Sequence, residues 1–190
     1  VKSLYNVVNL RGVLPNNTPF VWNIKIPARI HIFLWLLVNN KILTRDNLVK
    51  RQNVPDLSCA FCSCQESCHH LFFGCDVMIE FWRNLSRITG YSRVVNMLSL
   101  SDCWLRGGNL SATNVVHSAG LWAIWNTRND LFFNRAKWLN IQVLWRKTAS
   151  YAARWEPLSV DPVKKQIQNM VRELESPSKA PLPLMWPDPG

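Results

Sequence analysis

The sequence predicts a mostly α-helical chain: a small zinc-stabilised helical module, a helical extension and a Pro-rich tail. Three observations predict it. From residue 113 to 135, Val115, Ala119, Trp122, Trp125 and Phe132 recur at spacings of three, four and seven, the period of one helical face. Residues 27–39 are apolar almost all round, with Ile30, Phe33, Leu34, Trp35, Leu37 and Val38, as in a helix at the centre of a core. No convincing strand ladder and no internal repeat is present.

Taken in order, residues 2–11 form a short helix with Leu4, Tyr5 and Val8 on one face. Turn formers follow at Pro15, Asn16, Asn17, Thr18 and Pro19. Pro27 stands where the apolar helix starts. Thr44 caps a second short helix through Arg51, with Asp46 and Asn47 in its first turn. Residues 59–75 hold a Cys/His cluster. A helix over 76–88 comes next, with Ile79, Trp82 and Leu85 on its inner stripe and Gly90 as its stop. Residues 91–112 are mixed, with a turn at Gly107-Gly108. Helices are expected over 113–135, 141–155 and 162–174. The last fifteen residues carry five prolines and read as extended or disordered. The expected organisation is a module over 1–91, an extension over 92–175 and a linker-like tail over 176–190.

A length of 190 residues allows one domain, or a small domain with an extension. Ten tryptophans argue for a core that buries large side chains. The chain begins at Val1 and nothing near it reads as a signal peptide, so a piece of something longer is expected. Its longest apolar stretch, residues 30–38, is about half of what a membrane span needs, and no membrane partner is expected. The net charge is +10 and unevenly spread: +6 over residues 1–58, zero over 59–110 and +4 over 111–190. That balance favours an anionic partner, nucleic acid first. No basic run exceeds two residues, so no nuclear-localisation cluster stands out. The twelve acidic side chains are scattered, with neither a paired Asp-Asp nor a quartet for two-metal hydrolysis. No catalytic residue and no small-molecule substrate are expected.

Five of the six cysteines fall between Cys59 and Cys75, beside His69 and His70. Disulfide frameworks tie distant segments together, whereas metal sites gather ligands in short runs. Cys59-x-x-Cys62 suits a tight turn whose sulfurs converge on one ion. His70 and Cys75 would add the second pair from the start of a short helix. Zinc takes four such ligands in a tetrahedron, and Cys₃His is a closed structural set with no place for a reactive water. Spacing alone also admits His69 in place of His70, or Cys64 in place of an outer thiol.

Residues 2–90 resemble the reverse-transcriptase zinc-binding domain of plant LINE-type (non-LTR) retrotransposons. The resemblance is carried by Val1-Lys2-Ser3-Leu4-Tyr5, Val21-Trp22-Asn23, Ile26-Pro27-Ala28-Arg29-Ile30 and Phe33-Leu34-Trp35. It continues through Leu43-Thr44-Arg45-Asp46-Asn47-Leu48, Arg51, Cys59-x-x-Cys62, Glu66, His70-Leu71-Phe72, Cys75 and Phe81-Trp82. In the family the histidine precedes Leu-Phe, which selects His70 over His69 and makes Cys64 and Cys68 bystanders. The string from Leu121-Trp122 to Arg128-Asn129 resembles the helical stretch that follows this domain in such elements. The closing Trp186-Pro187-x-Pro189-Gly190 looks like the lead-in to a ribonuclease-H-like domain. The resemblance implies one structural Zn²⁺, no catalysis in this segment, and neighbouring polymerase or ribonuclease-H-like domains in an intact element.

Two readings of function follow. In the first the module helps hold RNA or DNA, with Lys41, Arg45, Lys50 and Arg51 meeting phosphates without much sequence choice. Phe61, Phe72 or Phe73 could stack on bases if exposed, although aromatics beside zinc ligands are more often core. In the second the chain is a structural or protein-interaction remnant, with Trp122 and Trp125 packed on a missing domain or inside its own core. A third, a cysteine hydrolase or redox pair built on Cys62 with His69 or His70, lacks the usual strand–turn–helix setting. His31, His117 and Cys103 read as structural.

Overall fold

The computed structural model describes residues 19–176, except 92, 93, 107 and 135. The expected helix over 2–11, most of the turn-rich loop after it and residues 177–190 of the tail lie outside the described residues. Helices dominate: α1 Pro19–Trp22, α2 Ala28–Val38, α3 Arg45–Leu48, α4 Asp76–Thr89, α5 Met97–Leu105, α6 Ser111–Phe133, α7 Gln142–Trp155 and α8 Asp161–Glu175. Among the described residues there is no strand, only an isolated antiparallel bridge between Ser58 and Gln65. None of the described helices is long and apolar enough to cross a membrane.

Pro27 takes an extended conformation just ahead of α2, and its carbonyl accepts from the amides of Ile30 and His31. The expectation that α2 fills the centre of the core needs correction. Ile30, Phe33, Leu34 and Leu37 are buried, but Ile32 on the opposite side is 55% exposed. The central position belongs to α6, in which every residue from Ala112 to Leu121 is buried. Ala112, Ala119, Gly120 and Ala123 are among its buried residues, and small side chains let neighbours approach closely. Thr44 does not close the start of α3 with its side chain; its hydroxyl donates to Asp46 at 2.5 Å.

α4 begins at Cys75, which is extended, and stops at Gly90, whose φ of 70° is the left-handed cap that favours glycine. Its inner stripe is Val77, Met78, Phe81, Trp82 and Leu85, while Ile79 points outward at 43% exposure. The expected stripe was thus one position out at its start. α5 was not expected. Asn96 and Ser99 form its capping box, the Asn96 side chain accepting from the Ser99 amide at 2.9 Å.

The short connections fold α7 back along α6 and α8 back along α7, and α4 closes the group against α6 and α8. Phe81 is the side chain that seats α4. Its ring stacks on Trp145 of α7 at 4.6 Å and meets Trp82 edge-on at 5.4 Å. Gly120 of α6 makes this possible, because a Cβ there would stand 3.0 Å from the Phe81 ring.

One apolar core runs across position 91. Phe33 of α2 meets Trp122 of α6 edge-on at 5.0 Å, and Phe72 lies 6.5 Å from Trp125. The tryptophan stripe of α6 is spent inside the chain, against residues of its own N-terminal half.

Candidate metal centre

Residues 57–66 turn back on themselves as a small hairpin. The Cys59 amide donates to the Cys64 carbonyl and the Glu66 amide to the Leu57 carbonyl, both at 2.8 Å. At its tip the Phe61 amide points at Cys59 Sγ, 3.5 Å away, which favours a thiolate. Cys59-x-x-Cys62 therefore presents two sulfurs from one tight turn.

The second pair comes from an unusual piece of helix. His70–Gly74 is a π-helical turn, closed by the Cys75 amide donating to the His70 carbonyl at 2.8 Å. Residues five apart face different ways on an α-helix. The wider i→i+5 turn brings them nearer to one face, and His70 and Cys75 converge on the same point. His70 Nε2 lies 3.1 Å from Cys62 Sγ. The ligand atoms of Cys59, Cys62, His70 and Cys75 all lie within 4.8 Å of one another. A tetrahedral zinc with arms of roughly 2.3 Å needs edges of about 3.8 Å, so small adjustments, the Cys62–His70 pair opening and the longer edges closing, would seat the four on one ion.

Titration of the three thiols fits that use. Cys59 is lowered to about 5, first by the hydrogen bond from Cys75. Cys75 is raised by donating that same bond and by burial. Cys62 is raised to about 11 by burial. Without a cation the group supports one thiolate, held by the protons of its neighbours. A divalent ion would replace those protons and make all three sulfurs anionic. In a closed Cys₃His set no coordination position is left for water, so such an ion braces the fold and activates nothing.

The other candidates lie apart from this cluster. His69 is exposed and turned away; its ring lies over Gly74, where a Cβ would come within 3.2 Å of Nδ1, and 6.2 Å from Phe73. Cys64 is exposed on the hairpin, and Cys68 is a half-buried thiol raised to about 12 by burial. Phe61 is buried, with its ring edge-on to Trp138 at 4.8 Å, and Phe72 and Phe73 are buried too. Cys62 beside His70 has the spacing of a nucleophile and base, but a thiol held near 11 is a poor nucleophile. Cys103 and His117 form a separate buried group with Asn114, and burial lowers His117 to about 3.

Of the four cations expected to meet nucleic acid, Lys41, Lys50 and Arg51 are exposed. Lys41 lies over the Trp35 ring at 5.0 Å, and Lys50 donates to Asn47 at 2.8 Å. Arg45 is turned inward. It is buried, pairs with Asp56 at 2.7 Å and lies 4.1 Å from the Phe132 ring centre.

Glu66 and Arg128 stand in the strings that carry the resemblance, but the sequence reading gave neither a role. Glu66 is fully buried at the end of the hairpin and takes a two-pronged contact from Arg128 at 2.7 and 3.2 Å. It also accepts from the Arg45 amide at 2.9 Å. Arg128 is 2% exposed and its guanidinium packs on Phe132 at 4.5 Å. The clamp ties the hairpin to α6. Within the local sequence its signal was that Glu66 is the sole acid in the Cys/His run.

Residues 1–82 match the family model described as zinc-binding in reverse transcriptase. That family is an accessory zinc-binding domain, distinct from the catalytic reverse-transcriptase domain, and the Cys₃His cluster fits a zinc-binding module. No curated protein and no solved structure matches the chain.

Proposed function

We propose that this chain is a non-catalytic zinc-binding module of a protein derived from a plant LINE-type (non-LTR) retrotransposon, and that it helps hold RNA or DNA near the polymerase of such an element. The observation that carries the reading is the closed Cys59, Cys62, His70 and Cys75 cluster inside the segment that matches the reverse-transcriptase zinc-binding family. Zn²⁺ is the ion for which three thiolates and an imidazole are best suited. The site's own charge is nearly neutral once three thiolates meet a dication, so flanking cations must attract the phosphates. Lys41, Lys50 and Arg51 supply that charge at the surface, and Arg45 holds the α3 turn in place from beneath.

Bound zinc per chain, measured before and after chelation with tryptophan fluorescence alongside, tests the metal. One zinc and a red shift on chelation are expected; no zinc in reduced, folded protein would overturn it. Titration with single-stranded RNA tests the partner. Reversing Lys41, Lys50 and Arg51 to Glu is expected to abolish salt-dependent binding while zinc is retained.

A second reading has its own observation. The Glu66–Arg128 clamp and the Phe61–Trp138 contact show the hairpin bracing α6 and the segment after it. A purely structural remnant, with no nucleic-acid partner, would keep these contacts. Absence of any salt-dependent affinity for RNA or DNA would select it.

A further inference from the structure

The outer face of α4 forms one wall of a groove of about 800 Å³. The π-helical turn before α4 forms a second wall, and Val94 and Val95 after it form the third. Its floor is apolar, built from Phe73, Ile79 and Trp82. Its rim is cationic. Arg83 and Arg87 stand one helical turn apart, about 6 Å along the axis, with Ser86 between them and His69 across the groove. No carboxylate lines it among the described residues. Glu80 lies just outside and pairs with Arg83, and Arg87 donates to Asn84 at 3.3 Å. Both guanidiniums are thus held over the rim with donors to spare.

We propose that this groove is a binding site for single-stranded nucleic acid, with one or two bases in the apolar trough and consecutive phosphates on Arg83 and Arg87. The inference rests on the nucleic-acid reading above and gives it a second contact face, away from Lys41, Lys50 and Arg51. An apolar floor beneath a rim with two guanidiniums and no lining carboxylate matches a strand whose bases are apolar in the face and whose backbone is anionic. The volume lies in the usual range of ligand-binding clefts. A duplex keeps its bases stacked and cannot use the trough. Gly74 contributes by letting the His69 ring lie back over the turn, which keeps that wall low. The same π-helical turn carries His70 and Cys75, so metal loading holds the groove wall in place.

Fluorescence anisotropy with a short labelled oligouridine on the full chain tests the site. Arg83→Gln with Arg87→Gln is expected to weaken binding at least tenfold and to make the salt slope shallower by about 1.4, two phosphate contacts' worth for a single strand. Ile79→Glu, at an exposed position, is expected to weaken it similarly by closing the trough to bases. Each variant must keep its zinc and its wild-type circular dichroism. Photocrosslinking of a 4-thiouridine oligomer to wild-type protein should label residues 69–95. Wild-type affinity in both groove variants, or labels confined to residues 41–51, would overturn the groove and leave the broader reading standing. Equal competition by a poly-glutamate peptide would overturn the choice of occupant. Failure of the wild-type protein to bind any oligonucleotide would bring down both.

Discussion

Cys62 and Cys64 are two positions apart and chemically alike, yet the fold gives them different work. Cys62 faces His70 across 3.1 Å, and Cys64 is exposed on the hairpin. Cys62→Ala should abolish zinc binding and unfold the core that the metal hairpin shares with the later helices, since structural zinc is worth on the order of 10–16 kcal/mol near neutral pH. Cys64→Ala should leave both intact, and equal damage from the two would refute the quartet. The thiol titrations carry a second expectation. The hydrogen bond from Cys75 favours the Cys59 thiolate, donating that bond favours the protonated Cys75, and burial favours the protonated Cys62. Zinc loading should therefore release about two protons from the thiols, and affinity should fall as the pH is lowered through neutrality. Isothermal titration in buffers of different ionisation enthalpy counts those protons; a count near zero would contradict the assignment. The third expectation concerns Glu66. Glu66→Ala leaves Arg128 charged, buried and unpaired, at a cost of about 3–5 kcal/mol. Glu66→Leu with Arg128→Met should cost much less than the two single changes added together.

Among the elements, α4 and α6 are the pair whose fit is most exacting. Gly120 sits mid-helix, where alanine would ordinarily gain about 1 kcal/mol. Here the added methyl meets Phe81, which Trp145 and Trp82 hold in place. Overpacking of this kind costs about 1–3 kcal/mol, so Gly120→Ala should lower the urea midpoint. A rise would mean that Phe81 has room to move. α5 depends on its cap. Losing the Asn96 side chain should cost about 1 kcal/mol and raise amide exchange in the first turn of α5 before any global change. The same two helices show where reading by period stops. The helical spacing located α6, α7 and α8 to within about two residues at each end, because long apolar stripes average out local noise. It misplaced Ile79 because α4 turns a broad, five-residue face inward, and it passed over α5 because the apolar positions of a nine-residue helix are few.

At the scale of the whole molecule, the metal hairpin and the C-terminal helices share one core. Phe33 against Trp122, Phe61 against Trp138 and Glu66 against Arg128 all cross the boundary drawn from the sequence at residue 91. Chelation should then disturb both halves together, with far-ultraviolet circular dichroism and tryptophan fluorescence changing in one coincident transition. Retention of most helix signal after the metal is gone would show that α6–α8 stand alone.

The sequence by itself determined the helical class, the place of the longer helices and the gathering of metal ligands at residues 59–75, because each is written within a short window. Periodicity needs a few turns of helix, and a Cys-x-x-Cys turn needs only four residues. Spacing alone left open which histidine faces the sulfurs, and the resemblance selected His70; the π-helical turn, which only the folded chain displays, sets His70 inward and His69 over Gly74. Tertiary structure alone decided that Arg45 goes inside, that α6 and not α2 holds the centre, and that Glu66 meets Arg128 sixty-two residues away. A buried charge declares itself only with its partner, and that partner lies on a separate element, outside any local pattern.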